Sequence, residues 1–207
     1  MLLEIFPERP IETYRRIITF RERIYAFPTM KQRKATRLKD YDYSTCGFYF
    51  VTICTKDGKE WFGEIESGEM IFSRSGRIAE KCWIDIPAHF KHVKLDEFIV
   101  MPNHVHGIVN IVGNAYMRSL PNRTKMLLSS IVQQYKSSVT RKIRYSCNHN
   151  RFQWQKSFYD HIIRTERSFN NIREYIKYNP LKWESDIENT ININMSDREY
   201  YRKILNC

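Results

Sequence analysis

The sequence predicts an α+β fold in which helices pack on an antiparallel sheet, and three observations lead there. Runs rich in β-branched and aromatic residues alternate with helical stripes in the order strand, helix, two strands, helix, strand, helix. The two consecutive strands are joined by only three residues, which suits an antiparallel hairpin and is too short for a parallel crossover. At 207 residues and 42% hydrophobic content the chain can bury one core of domain size but not two. Aromatics at 14%, with only 7 Gly and 7 Pro, exclude a disordered or collagen-like chain.

Taken in order, residues 1–36 form a basic N-terminal extension. Residues 1–40 hold ten Lys/Arg against five Asp/Glu, and a helix is expected across 11–25. The run Phe48-Tyr-Phe-Val-Thr-Ile-Cys-Thr55 is a strand that ends at the turn residues Lys56-Asp57-Gly58. Residues 63–72 read as a small hairpin around Ser67-Gly68. Ser73 can cap a helix over 75–86, in which Ile78, Cys82 and Ile86 recur at helical spacing before Pro87. Residues 93–100 and 104–112 are strongly β, and Pro102, which has no amide hydrogen to give a ladder, belongs in the turn between them. Leu128, Val132, Tyr135, Val139 and Ile143 trace one face of a helix over 126–144. Residues 152–163 are expected to be a last strand and 165–179 a last helix, capped by Thr165 and closed by Pro180. Beyond Trp183 the chain becomes polar and Asn-rich, and residues 184–207 read as a peripheral tail.

The charge narrows the function. Against 23 Asp+Glu the chain carries 34 Lys+Arg, a net +11, which suits a polyanionic partner. From Phe98 to Tyr159 there is no acidic residue, while Arg118, Arg123, Lys125, Lys136, Arg141, Lys142, Arg144, Arg151 and Lys156 contribute +9. The first seven of these are the candidate nucleic-acid contacts, although a solvated helix face would show the same pattern. Tyr135, Tyr145, Phe152 and Trp154 lie in the same stretch and suit either base stacking or a core. The five cysteines are scattered with no CxxC pair, so they are expected to be reduced thiols and not a zinc site. No apolar run approaches the ~20 residues of a membrane span, and the opening segment meets Pro too early for a secretory signal. The expectation is a soluble, cytoplasmic protein without a membrane partner.

Two small groups carry the candidate chemistry. In His104-Val105-His106 the strand period places both imidazoles on one face, which makes either a two-point metal clamp or an exposed polar face. In the last helix Tyr175 and Asn179 are one turn apart along the edge of the buried stripe Phe169, Ile172 and Ile176. They are either a functional pair or a boundary aromatic and a helix end, and Tyr178 falls on the far side.

Together these residues resemble a family. Met101-Pro-Asn-His104-Val-His106-Gly, then Arg173-Glu-Tyr175-Ile-Lys-Tyr-Asn179-Pro180, is similar to the single-tyrosine transposases of the HUH superfamily. The likeness is to the REP-associated tyrosine transposases and their insertion-sequence relatives. Residues 40–44, Phe50-Val-Thr-Ile-Cys54, Ser130–Ser137 and Trp154–Ile163 extend it over 37–183, which becomes the catalytic domain. The resemblance implies a ferredoxin-like (RRM-like) sheet that carries the histidines. It also implies His104, His106 and Asn179 as metal ligands, Mg²⁺ or Mn²⁺ as cofactor, and Tyr175 as nucleophile. Single-stranded or hairpin DNA would be nicked and rejoined through a 5′-phosphotyrosine, by a monomer or a homodimer. Tyr159 is a competing nucleophile, placed lower because it sits in a strand with no amide side chain one helical turn onward. The alternatives are a domesticated nucleic-acid-binding protein that no longer cleaves and a hydrolytic nuclease that uses water.

Overall fold

The computed structural model describes residues 43, 45–113, 127–190 and 201, all within one compact unit, Ala35–Cys207. The basic extension, its expected helix, and Arg118, Arg123 and Lys125 lie outside the described residues. The chain forms β1 (Gly47–Cys54), β2 (Gly63–Glu66), β3 (Glu69–Phe72), α1 (Arg74–Ile84), the single-turn α2 (Ile86–His89), β4 (Val93–Val100) and β5 (His104–Ile111). It continues with α3 (Leu127–Cys147), β6 (Tyr159–Ile163), α4 (Glu166–Lys177) and a 3₁₀ turn over Pro180–Ser185.

Local signals act as expected. The Ser73 hydroxyl accepts from the Gly76 amide at 3.1 Å, and Thr165 accepts from that of Ser168 at 3.1 Å, so both helices start at a side-chain cap. Ser67 and Gly68 take φ of 51° and 80°, the two left-handed residues of a tight hairpin turn. Helix α1 ends two residues before the expected limit. Ile86 instead opens α2, where Pro87 is tolerated because a first-turn amide has no helical acceptor to lose.

The main sheet has the order β4-β5-β1-β6, with every neighbouring pair antiparallel. With α1 and α3 as the two crossovers, this is the βαββαβ ferredoxin-like arrangement. Helices cover both faces, which is why β1 and β5 are almost wholly buried. Tyr49, Val51, Ile53, Val105, Val109 and Ile111 join α1 and α3 in the larger core. Phe50 and Ile108 join Ile172, Tyr175 and Ile176 of α4 in the smaller one. Gly107 matters to the first face, since the Trp83 ring of α1 packs where a side chain on it would stand.

One strand is shorter than the sequence suggests. Residues 152–158 make no ladder beyond a single bridge between Trp154 and Thr55. Phe152 is buried and Trp154 packs against the same cluster, so the aromatic run that resembles a strand is a loop pinned to the core by its rings. Its carbonyls are held instead by α3, with Lys136 Nζ on the carbonyls of Gln155 (2.8 Å) and Ser157 (2.9 Å) and Arg144 on that of Phe152 (3.2 Å).

Candidate functional site

The site lies on the α4 face of the sheet, at the start of β5. Strand alternation sends His104 and His106 to this face and Val105 to the other, and the two imidazoles are 4.3 Å apart between ring centres. The neighbouring strand contributes Thr52, opposite His106, and Cys54, opposite His104. His106 Nδ1 is 2.9 Å from Thr52 Oγ1, and His104 Nδ1 is 2.8 Å from Asn103 Oδ1.

From α4, Tyr175 reaches the histidines because it stands beside Ile172 and Ile176 on the buried face. Its hydroxyl is 3.1 Å from His106 Nε2 and donates to Asp186 Oδ2 at 3.0 Å. Tyr178 is exposed on the other side, as the helical period requires. Asn179, in the first residue pair after α4, is fully buried. Its amide nitrogen donates to Asp186 Oδ2 at 2.6 Å, and its Oδ1 has no hydrogen-bond partner among the described residues. Tyr159 stays in β6 with its ring stacked on Tyr201, 4.4 Å between centres.

Sequence reasoning missed Asp186. It also misplaced its surroundings, because residues past Trp183 were expected to be peripheral, whereas Asp186, Asn189 and Tyr201 are buried. The 3₁₀ turn after Asn179 brings the chain back over the histidines. There Asp186 accepts from Tyr175, from Asn179 and from the Glu188 amide (2.7 Å). Burial raises its pKa, and these three hydrogen bonds, the Glu188 amide first, work against that rise. The only available hint was a carboxylate seven residues beyond Asn179, and Glu184 and Glu188 on either side of it dilute that signal.

One ring nitrogen each from His104 and His106 and one carboxylate oxygen of Asp186 lie within 4.8 Å of one another, all three side chains being buried. Two neutral imidazoles and a carboxylate make a donor set that fits a divalent ion. Asn179, whose amide nitrogen is on Asp186, keeps a buried Oδ1 with no hydrogen-bond partner among the described residues, an oxygen of the hard type that such ions accept.

The basic helix lies elsewhere. Arg141, Lys142, Arg144 and Tyr145 are exposed on α3, which packs on the sheet face opposite to α4. Lys136, Thr140, Arg141, Arg144 and Tyr145 line a surface depression there. Lys142 also pairs with Asp85 at 3.7 Å. Of the four aromatics considered for stacking, Tyr135, Phe152 and Trp154 are spent on the core, and Tyr145 alone is open, 92% exposed. Among the described residues no helix is long and apolar enough to cross a membrane.

No protein-family model matches the chain. An uncharacterized protein of Haemophilus influenzae is 40% identical over 166 residues, which cover 74% of this chain and 91% of that protein. Among solved structures, a REP-associated tyrosine transposase bound to a REP hairpin is similar over 82% of this chain and 87% of its own, at 16% identity and a TM-score of 0.48. A Deinococcus radiodurans R1 protein, described provisionally as a transposase, is similar over 68% of this chain and 96% of its own, at 16% identity and a TM-score of 0.42.

Proposed function

The chain belongs to the same family as that Haemophilus influenzae protein, and we propose that it is a metal-dependent enzyme that nicks and rejoins single-stranded or hairpin DNA as a transposase does. The observation that carries the reading is the Tyr175 hydroxyl, held between His106 Nε2 and the Asp186 carboxylate beside a buried two-histidine clamp. A structural tyrosine needs one acceptor. This one faces two, in a site whose other side chains are metal donors.

His104, His106 and Asp186, with Asn179 Oδ1 beside them, would hold the ion. Held there, a divalent ion, Mg²⁺ or Mn²⁺, would supply neutralisation of the phosphodiester's negative charge, which otherwise repels a nucleophile. The Tyr175 oxygen then forms a bond to phosphorus as the bond from phosphorus to the 3′ oxygen breaks. The phenolic proton leaves toward the acceptors around it, and the departing 3′ oxygen takes up a proton. One phosphodiester is exchanged for another, so the freed 3′ hydroxyl can reverse the step on a second junction without an external energy source.

The exposed cations of α3 would hold the DNA backbone, with Tyr145 available to an unpaired base. Because α3 and Tyr175 are on opposite faces, a strand that touches both passes round the end of the sheet at which β5 begins. There the 149–158 loop, held by Lys136 and Arg144, hydrogen-bonds β1 beside Cys54 (Gln155 N to Cys54 O, 2.9 Å), and Cys54 in turn pairs with His104. Tyr175 is only 5% exposed, so a DNA strand has little access to it in this arrangement.

That burial favours a second reading, in which the chain binds DNA and no longer cuts it. Labelled single-stranded DNA that carries the repeats flanking the gene, incubated with the protein and Mn²⁺ or Mg²⁺, separates the two. The first reading predicts a covalent protein–DNA adduct that is lost in chelator and in Tyr175→Phe. Binding that survives chelator with no adduct supports the second, and cleavage without adduct points to water as nucleophile.

A further inference from the structure

A histidine can ligate a metal only through a nitrogen that carries no hydrogen, and the other ring nitrogen's partner decides which one that is. Two hydrogen-bond chains here have their directions fixed by their far ends; Glu188 ends the first, and with the Gly58 carbonyl it ends the second. The Glu188 carboxylate only accepts. Tyr201 must therefore donate to its Oε1 (3.1 Å), which leaves the Tyr201 oxygen to accept from the Thr52 hydroxyl (3.3 Å). With its hydrogen so used, Thr52 Oγ1 can only accept from His106 Nδ1 (2.9 Å). The hydrogen of His106 is then on Nδ1 and the lone pair is on Nε2, so in the metal-free site the single Tyr175 hydrogen has two acceptors to serve, this nitrogen at 3.1 Å and Asp186 Oδ2 at 3.0 Å.

The second chain works through an amide. Asn103 Nδ2 lies 2.8 Å from the Glu188 carbonyl and 3.2 Å from that of Gly58, so it must be the donor end, and Oδ1 is turned to His104 Nδ1 at 2.8 Å. His104 too is held with its hydrogen on Nδ1. The Glu188 amide, finally, orients the Asp186 carboxylate.

We propose that Glu188, acting through Tyr201 and Thr52 with its side chain and through Asn103 with its carbonyl, is the positioning residue that presents Nε2 of both histidines to a divalent ion. It touches none of the reacting atoms. The proposal rests on the reading of His104 and His106 as metal ligands, but half of its test needs neither metal nor DNA.

Nitrogen-15 NMR of the metal-free protein reads the His106 tautomer directly, and a Mn²⁺ titration followed by electron paramagnetic resonance reads affinity. Tyr201→Phe keeps the ring that stacks on Tyr159 and removes only the hydroxyl. It frees Thr52 to donate to His106 Nδ1, so the hydrogen is expected to move to Nε2 and Mn²⁺ affinity to fall about 10- to 100-fold. Glu188→Ala is expected to do the same, and Glu188→Gln, whose amide oxygen can still accept from Tyr201, to stay within about threefold of wild type. The idea is overturned if Tyr201→Phe and Glu188→Ala leave His106 protonated on Nδ1, or if Glu188→Gln behaves like Glu188→Ala. A wild-type protein that shows the Nδ1-protonated ring but binds no Mn²⁺ would remove the metal reading and, with it, the purpose assigned to the chains, which the tautomer data would still describe.

Discussion

Replacing Gly107 by Ala tests how the sheet that carries the histidines is built. A Cβ at this position would stand 2.2 Å from Trp83 Cζ2 and within 3.0 Å of two further ring atoms. The nearest contact falls about 1.3 Å short of the ~3.5 Å at which carbon atoms rest. The indole has nowhere to retreat, being 1% exposed, with Tyr135 edge-on at 5.2 Å and Phe98 stacked at 6.0 Å. Tyr135 is itself buried, with its hydroxyl on the Ala79 carbonyl. Overpacking of this kind costs about 1–3 kcal/mol, which for a domain of this size lowers Tm by roughly 2–12 °C. Thermal unfolding followed by near-ultraviolet circular dichroism reads both the loss and the Trp83 environment. The clash also predicts coupling. With Trp83→Phe already present, Gly107→Ala should cost at least about 1 kcal/mol less than it does alone. A Gly107→Ala protein that melts with wild type, or a double variant whose losses simply add, would refute the packing argument.

Other outcomes follow from the same contacts. Asp186→Asn keeps the side-chain shape and removes the anionic donor, so Mn²⁺ affinity should fall at least about tenfold; unchanged binding would take Asp186 out of the donor set and leave Asn179 as the third ligand. Lys136→Met keeps the apolar stem and removes the ammonium that holds two loop carbonyls, for a loss of about 1–3 kcal/mol after allowing for partial exposure. Exposed Arg141→Ala should leave stability within about 0.5 kcal/mol and lower the salt slope of single-strand binding by roughly 0.7, and an unaltered slope would remove Arg141 from the DNA path. Burial first, and then the Arg164 charge, lower the pKa of His161. The unfolded chain therefore takes up this proton first, and the stability it contributes is present above about pH 6.5 and is lost as pH falls through the lower folded value. His161→Gln should flatten the decline in urea stability between about pH 7 and 5, and an unchanged slope would assign that decline elsewhere.

Much of this architecture is legible in the sequence because the deciding signals are local. Ser73 and Thr165 announce helix starts through their own side chains, Ser67-Gly68 and Pro102 mark turns, and period-two alternation places both histidines on one face before any partner is known. The errors have a common physical origin. Phe152 and Trp154 carry strand-like rings, but their burial is purchased by packing on α3 and not by a ladder, and composition alone does not separate the two. Asp186 lies in a polar, Asn-rich stretch whose role depends on where the 3₁₀ turn at Pro180–Ser185 sends the chain, a tertiary fact with no periodic signature. The acid-free run likewise gives the sign of the charge but not its side of the sheet. Lys136 and Lys142 turn out to make internal contacts as well, while Arg141 and Tyr145 face outward.

If Tyr175 is the nucleophile in a covalent exchange with DNA, mass mapping of a trapped adduct reads that out at the residue itself. Protein incubated with Mn²⁺ and a single strand that carries the flanking repeat, then digested with protease and nuclease, should yield one peptide heavier by a nucleotide monophosphate. Tandem fragmentation should place that mass on Tyr175. A nucleotide on Tyr159 or Tyr178, or strand cleavage that leaves every tyrosine unmodified, would contradict the account.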